Sequence, residues 1–143
     1  MNPEIDTHIS RDQIRFSFLN DDQEYFEVED KVKKFFFQQI EEFTGDDHND
    51  DCIFIDATHL NPKSRATTMQ HIAPDTNVIA VYFDVPIHTA LTRNKQRTGR
   101  ACVPEKVIYR MRSRMIPPTC AEGFKEVWRI NENGEIVEKE KQK

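Results

Sequence analysis

Ile53-Phe54-Ile55-Asp56-Ala57-Thr58-His59-Leu60-Asn61-Pro62 is the stretch that decides the fold. An apolar run closes on the carboxylate of Asp56, and the hydroxyl of Thr58 follows two residues later. Asn61 and Pro62 then read as a helix start, because asparagine caps orphan N–H groups and proline is pre-set for the first helical position. A buried strand that ends in an acid and feeds a helix is how phosphate-transfer chemistry places a carboxylate at the edge of a parallel sheet. There it can hold Mg²⁺ or its water shell.

Working outward, strands and helices alternate. Ile5 to Ile9 reads as a short strand, and Ser10 as the N-cap of a helix over Asp12 to Leu19. Tyr25, Val28, Val32, Phe35, Phe36, Ile40 and Phe43 recur at spacings of three and four, which predicts one long helix over Glu24 to Phe43 with this stripe in the core. Gly45 ends it and Thr44 to Asp51 is a polar loop. Cys52 to Asp56 is a buried strand and Pro62 to His71 a helix. Val78 to Asp84 is so continuously apolar that it reads as a parallel strand buried on both faces. A helix follows over Ile87 to Gln96. Pro104 opens another, with Val107, Ile108, Met111 and Met115 on one face and Pro117-Pro118 as its stop. Val127 to Ile130 is the last strand, Asn133-Gly134 a tight turn into Glu135 to Val137, and Glu138 to Lys143 a charged tail expected to fray. The sum is an α/β fold with a parallel sheet flanked by helices, taken as one domain over residues 1–143, with 131–143 as its C-terminal turn and tail.

Composition narrows the class. The 143 residues are enough for one core, and the ten phenylalanines give that core its volume. No run of about 18 apolar residues is present, so no membrane span is expected. The start is neither basic nor apolar, so no signal peptide is read and the expected location is the cytoplasm. Cys52, Cys102 and Cys120 fit neither a disulfide framework nor zinc spacing and are expected as buried or half-buried thiols. The acidic run Asp46-Asp47-His48-Asn49-Asp50-Asp51 lacks the ligand alternation of a calcium loop and reads as solvated loop. No nucleophile elbow and no paired-histidine zinc motif occurs.

The net charge of −5 argues against indiscriminate nucleic-acid binding. It hides an asymmetry: from Arg93 to Arg114 there are eight basic residues against Glu105 alone. Such a cationic segment in an acidic chain suits a local phosphate site, and equally a solvated helical face. Asp12 and Arg15, three apart near a helix start, combine a carboxylate able to take a hydroxyl proton with a guanidinium able to grip a phosphate. An acid there is also ordinary helix-dipole chemistry. Arg93 and Arg97, four apart with Arg100 just beyond, present convergent guanidiniums of the kind that suit a transferring phosphoryl group.

Taken together, Ser10-Arg11-Asp12 with Arg15, Ile55 to Arg65, Val81 to Pro86, Arg93-Asn94 with Arg97, Arg100 and Val103-Pro104, and Pro117-Pro118 with Glu122-Gly123-Phe124 resemble the polynucleotide-kinase-like branch of the P-loop, AAA-type ATPases. The resemblance runs from about Ile9 to Ile130. It implies a P-loop NTPase-like sheet and transfer of the γ-phosphoryl of ATP to a hydroxyl, with ATP as substrate and Mg²⁺ as cofactor. By position, Asp12 matches the general base and Arg15 the arginine on the acceptor's neighbouring phosphate. Asp56 stands where the metal-holding acid would be, and Thr58 matches a threonine near the acceptor. Arg97 matches the lid arginine on the transferring phosphate, with Arg93 and Arg100 beside it. His59 replaces an asparagine common in relatives. RNA or DNA ends, or another hydroxyl, are the implied acceptors.

One departure is large. None of Gly45, Gly99, Gly123 and Gly134 opens a G-x-x-x-x-G-K-[ST] phosphate loop. The resemblance thus implies an incomplete version of the fold, with the first strand, the phosphate loop and its helix outside this chain. A start further upstream, a truncated or split gene with a partner chain supplying the segment, or a repurposed non-catalytic nucleotide- or nucleic-acid-binding remnant would each account for it.

Overall fold

The computed structural model describes residues 6–45 and 52–143, so the strand expectation at Ile5 and the acidic run from Asp46 lie largely outside the described residues. The architecture is α/β: short parallel strand pairings flanked by helices. The chain divides into two compact units, one formed by Met1–His59 with Ala66–Thr76 and the other by Leu60–Arg65 with Asn77–Lys143.

In the first unit, β1 (Thr7–Ser10) pairs in parallel with β2 (Ile53–Asp56), with Ile9 opposite Ile55 and Ser10 opposite Asp56. Helix α1 (Arg11–Phe18) starts where β1 stops, because the Ser10 hydroxyl accepts the Gln13 N–H at 3.3 Å as expected of an N-cap. Helix α2 (Glu29–Phe43) lays Val32, Phe36 and Ile40 into the interior, all fully buried. Ile9, Phe36 and Ile40 form the core, and Ile14, Phe37, Phe43, Ile53, Ile55 and Ile72 pack around it. Each such side chain contributes roughly 1.5–3 kcal/mol when withdrawn from water. Helix α2 is shorter than the apolar spacing predicts. Residues 25–28 are a turn, and Tyr25 leaves the core stripe to bond polar groups on α1.

In the second unit, β3 (Ile79–Phe83) pairs in parallel with β4 (Glu126–Ile130), which pairs antiparallel with β5 (Ile136–Lys141). The expectation that Val78 to Asp84 is buried on both faces is not met. Ile79, Val81 and Phe83 alternate outward, and Phe83 is 64% exposed. Among the described residues β3 has one sheet neighbour, and Ile79, Val81 and Phe83 line its exposed face. Likewise β2 is not wholly buried: Phe54 is exposed. The tail expected to fray is instead most of β5. Cross-strand pairs hold it: Glu138 accepts from Arg129 at 3.2 Å, and the Lys139 ammonium lies 4.3 Å over the Trp128 ring. Gly134 supplies the positive φ of 79° that the Asn133-Gly134 turn needs.

Helix α3 (Pro62–Met69) opens as read, with the Asn61 side chain accepting the Ser64 N–H at 2.8 Å. Helices α4 (Ile87–Lys95) and α5 (Glu105–Arg114) are joined by a short connection and packed against each other. All three cysteines are free. Cys120 is buried, whereas Cys52 and Cys102 are exposed rather than buried or half-buried as expected.

Candidate active site

The register of β1 with β2 places two acid-bearing segments side by side. Ser10 faces Asp56, so the start of α1 and the Asp56 carboxylate share the carboxyl edge of one parallel pair. Asp12 lies in the first turn of α1, where a carboxylate is favoured by the helix dipole. Its side chain is 58% exposed, and one oxygen takes both of its hydrogen bonds. Oδ1 accepts from Arg15 Nη1 at 2.9 Å and from the Tyr25 hydroxyl. Among the described residues no side chain claims Oδ2. The two donors hold Oδ1 on a side chain that is otherwise open to solvent.

Arg15 is held through both of its terminal nitrogens. It is 4% exposed. Its Nη1 also donates to the Tyr25 hydroxyl at 2.9 Å, its Nη2 is paired with Glu29 Oε2, and its guanidinium stacks 4.3 Å from the Tyr25 ring. Glu29 Oε1 pairs with Arg11. Burial works against the Arg15 charge, but the Glu29 hydrogen bond and the nearby acidic groups outweigh it and raise its pKa. Burial likewise opposes the Glu29 carboxylate, and Arg15 and Arg11 outweigh it, so its pKa falls below the ordinary value. Burial and the bond to Asp12 push the Tyr25 phenol up to about 12. Tyr25, Glu29 and Arg11 are the residues that sequence reasoning missed. Local spacing could not reveal bonds that span 13 to 18 residues. The signal available was a tyrosine and an acid at the edges of the apolar stripe.

Asp56 ends β2 with its side chain 64% exposed, and His8 Nε2 sits 3.3 Å from Oδ2. Thr58, two residues on, is exposed. The donor set suits Mg²⁺ only in its usual manner, one carboxylate with the remaining positions taken by water and substrate phosphate. Among the described residues no cluster of three ligating side chains forms. His59 adopts φ 41°, a left-handed conformation that asparagine and histidine tolerate better than most residues, and its Nε2 lies 2.8 Å from Thr68 Oγ1.

The three arginines lie in the second unit. Arg93 donates from Nη2 to the Glu132 carbonyl at 2.7 Å. Arg97 is exposed just past the end of α4, and Arg100 is half-buried in the single turn Gly99–Ala101. A residue named above only as part of its motif shapes this segment. The buried Asn94 donates to the Val103 carbonyl at 2.8 Å and accepts the Val103 N–H at 3.0 Å, closing the loop that carries Arg97 and Arg100. Elsewhere in this unit Arg65, 5% exposed, binds Glu122 through two parallel bonds of 2.7 and 3.1 Å. Glu122 also accepts the Thr119 N–H at 3.0 Å.

A family model described as an AAA domain matches residues 2–118. The chain belongs to the AAA domain family. This bears out the P-loop, kinase-like AAA reading of the motif blocks and its α/β fold, and makes the chain a nucleotide-binding, kinase-like domain in the coarse sense. No curated protein and no solved structure matches the chain. Among the described residues of this AAA domain no helix is long and apolar enough to cross a membrane.

Proposed function

We propose that this AAA domain serves ATP-dependent phosphoryl transfer to a hydroxyl, of the polynucleotide 5′-hydroxyl kinase type. The observation that supports the reading best is the Asp12 carboxylate, with Oδ1 held by Arg15 and Tyr25 and Oδ2 open to solvent. A general base needs this: a fixed oxygen within reach of the acceptor and no competing donor on it. In the transfer, the acceptor O–H loses its proton to Asp12 Oδ2, a bond forms between the acceptor oxygen and the γ-phosphorus, the bond to the bridging oxygen breaks, and ADP leaves.

On this reading Asp56 would hold Mg²⁺ or its water shell, and the ion would neutralise charge on the nucleotide phosphates. By the same resemblance Arg93, Arg97 and Arg100 would serve the nucleotide phosphates and Thr58 the acceptor. Arg15 acts on the acceptor's phosphate only if it gives up Glu29, so in this arrangement its first task is to orient Asp12. The reading includes a phosphate loop supplied from outside these 143 residues, upstream or on a partner chain, and RNA or DNA ends as acceptors in the cytoplasm.

The test is radiolabel transfer from ATP to a 5′-hydroxyl oligonucleotide by the chain extended upstream through a phosphate loop. Asp12→Asn is expected to reduce transfer by about 10²-fold or more while nucleotide affinity stays within about twofold. Transfer that survives Asp12→Asn rejects the base assignment, and a chain that binds ATP but labels no hydroxyl acceptor rejects the kinase reading.

A further inference from the structure

Helix α5 carries a face that the reaction does not use. Lys106, Arg110 and Arg114 are spaced four apart, which sets them about 6 Å from one another along the axis in one slanting stripe. All three are exposed, and among the described residues none has an ion-pair partner. This sets them apart from their basic neighbours. Arg112, on another side of the helix, donates to the Val85 carbonyl and sits 3.8 Å from Asp84. Lys95 faces Glu105, and Arg93 is bound to the Glu132 carbonyl. Tyr109 lies beside the stripe and is 53% exposed. Tyr109 stands one helical turn from Lys106, so an exposed aromatic ring adjoins the exposed cations.

We infer that this face of α5 binds single-stranded nucleic acid, with the backbone phosphates on Lys106, Arg110 and Arg114 and a base stacked on Tyr109. Cations at intervals of one helical turn follow a phosphate chain, and an aromatic ring gives a sequence-tolerant stacking platform. Duplex is disfavoured because its bases offer no open face to Tyr109. An anionic membrane is disfavoured because Val107, Ile108 and Met111, the apolar residues such a surface would need, lie on the sides of α5 turned toward the protein. The inference does not rest on the kinase reading, since the binding needs neither ATP nor Asp12.

The experiment is fluorescence anisotropy of labelled oligo-dT and oligo-U, each about 20 nucleotides long, against the 143-residue chain, from about 20 to 200 mM salt and without nucleotide. Saturable binding of either is expected, and comparing the two tells which sugar is preferred. Lys106→Ala, Arg110→Ala and Arg114→Ala together are expected to weaken binding more than about tenfold. They should also flatten the salt slope by about 2, at roughly 0.7 for each phosphate no longer neutralised. Tyr109→Ala is expected to cost about tenfold, while Tyr109→Phe, which keeps the ring, retains wild-type affinity. Lys31→Ala, Lys33→Ala and Lys34→Ala on α2 remove the same charge from elsewhere on the chain and are expected to change affinity less than about threefold. The inference is overturned by equal losses in the two triple variants, by Tyr109→Ala binding like wild type, or by binding to phosphatidylserine vesicles with none to either oligonucleotide. A failure of Asp12→Asn in the transfer assay leaves all of these outcomes untouched, so the two readings fail separately.

Discussion

The start of α1 and the outer face of α5 use their basic side chains in opposite ways. Arg15 is buried, with both terminal nitrogens committed to Asp12, Tyr25 and Glu29. Lys106, Arg110 and Arg114 on α5 stand in water without acids. A buried charge must be paired, because leaving it alone forfeits several kcal/mol, whereas an exposed one costs little either way. Burial thus sorts charges by role. The held guanidinium serves geometry within the protein, and the unheld ones are available to a ligand.

The sharpest way to break this comparison is to strip the acid from the buried site. Glu29→Ala leaves Arg15 and Arg11 without their shared partner, and a loss of about 3 kcal/mol in urea unfolding is expected, in the lower part of the range for buried pairs because Glu29 keeps contact with water. Glu122→Ala breaks the two-pronged bond to the buried Arg65, and a similar loss of about 3 kcal/mol is expected for the second unit. Either variant unfolding like wild type would mean that these pairs are incidental.

Acidity sharpens the same point. The folded Glu29 and Glu122 both have pKa values lowered from 4.5, so the stability they contribute is present above about that pH and lost as pH falls through their folded values. Stability measured by urea midpoint should therefore fall below pH 4.5, and the fall should be shallower in Glu29→Ala. Tyr25 runs the other way. Its pKa is raised from 10.0 to about 12, so its contribution is complete below 10 and lost as pH rises toward 12. Tyr25→Phe should remove that alkaline loss and cost about 1.5 kcal/mol at neutral pH for the bond to a charged acceptor. The smallest effect belongs to α5: removing Lys106, Arg110 and Arg114 should shift stability by less than about 0.5 kcal/mol per site while changing oligonucleotide binding.

The strand–acid–helix unit at Asp56 and the capped start of α1 were legible in the sequence, because both are local. Ser10, Asn61 and Gly134 are identifiable by what their side chains or backbones permit. Tertiary effects escaped it. The apolar repeat from Tyr25 overstates α2, since a phenol with a carboxylate and a guanidinium in reach leaves the stripe to bond them. Continuous hydrophobicity at Val78 to Asp84 predicted burial on two faces, but burial depends on neighbours, and among the described residues β3 has one in its sheet. The charged run at Glu138 looked like a fraying tail because its partners, Arg129 and Trp128, lie across the sheet rather than along the chain. Asp12 and Arg15 were singled out together, and the structure joins them. The residues that hold them, Tyr25 and Glu29, were beyond the reach of helical spacing.

The most direct measurement is the proton exchange of the arginine side chains, read by ¹⁵N NMR on the 143-residue chain at mildly acidic pH. The account predicts slow exchange for Arg15 and Arg65, with Glu29→Ala releasing Arg15 and leaving Arg65 slow, and fast exchange for Arg110 and Arg114 that slows when a single-stranded oligonucleotide is added. Fast exchange at Arg15 would contradict it, since the guanidinium would then not hold Asp12, and the presentation of the proposed base would lose its foundation.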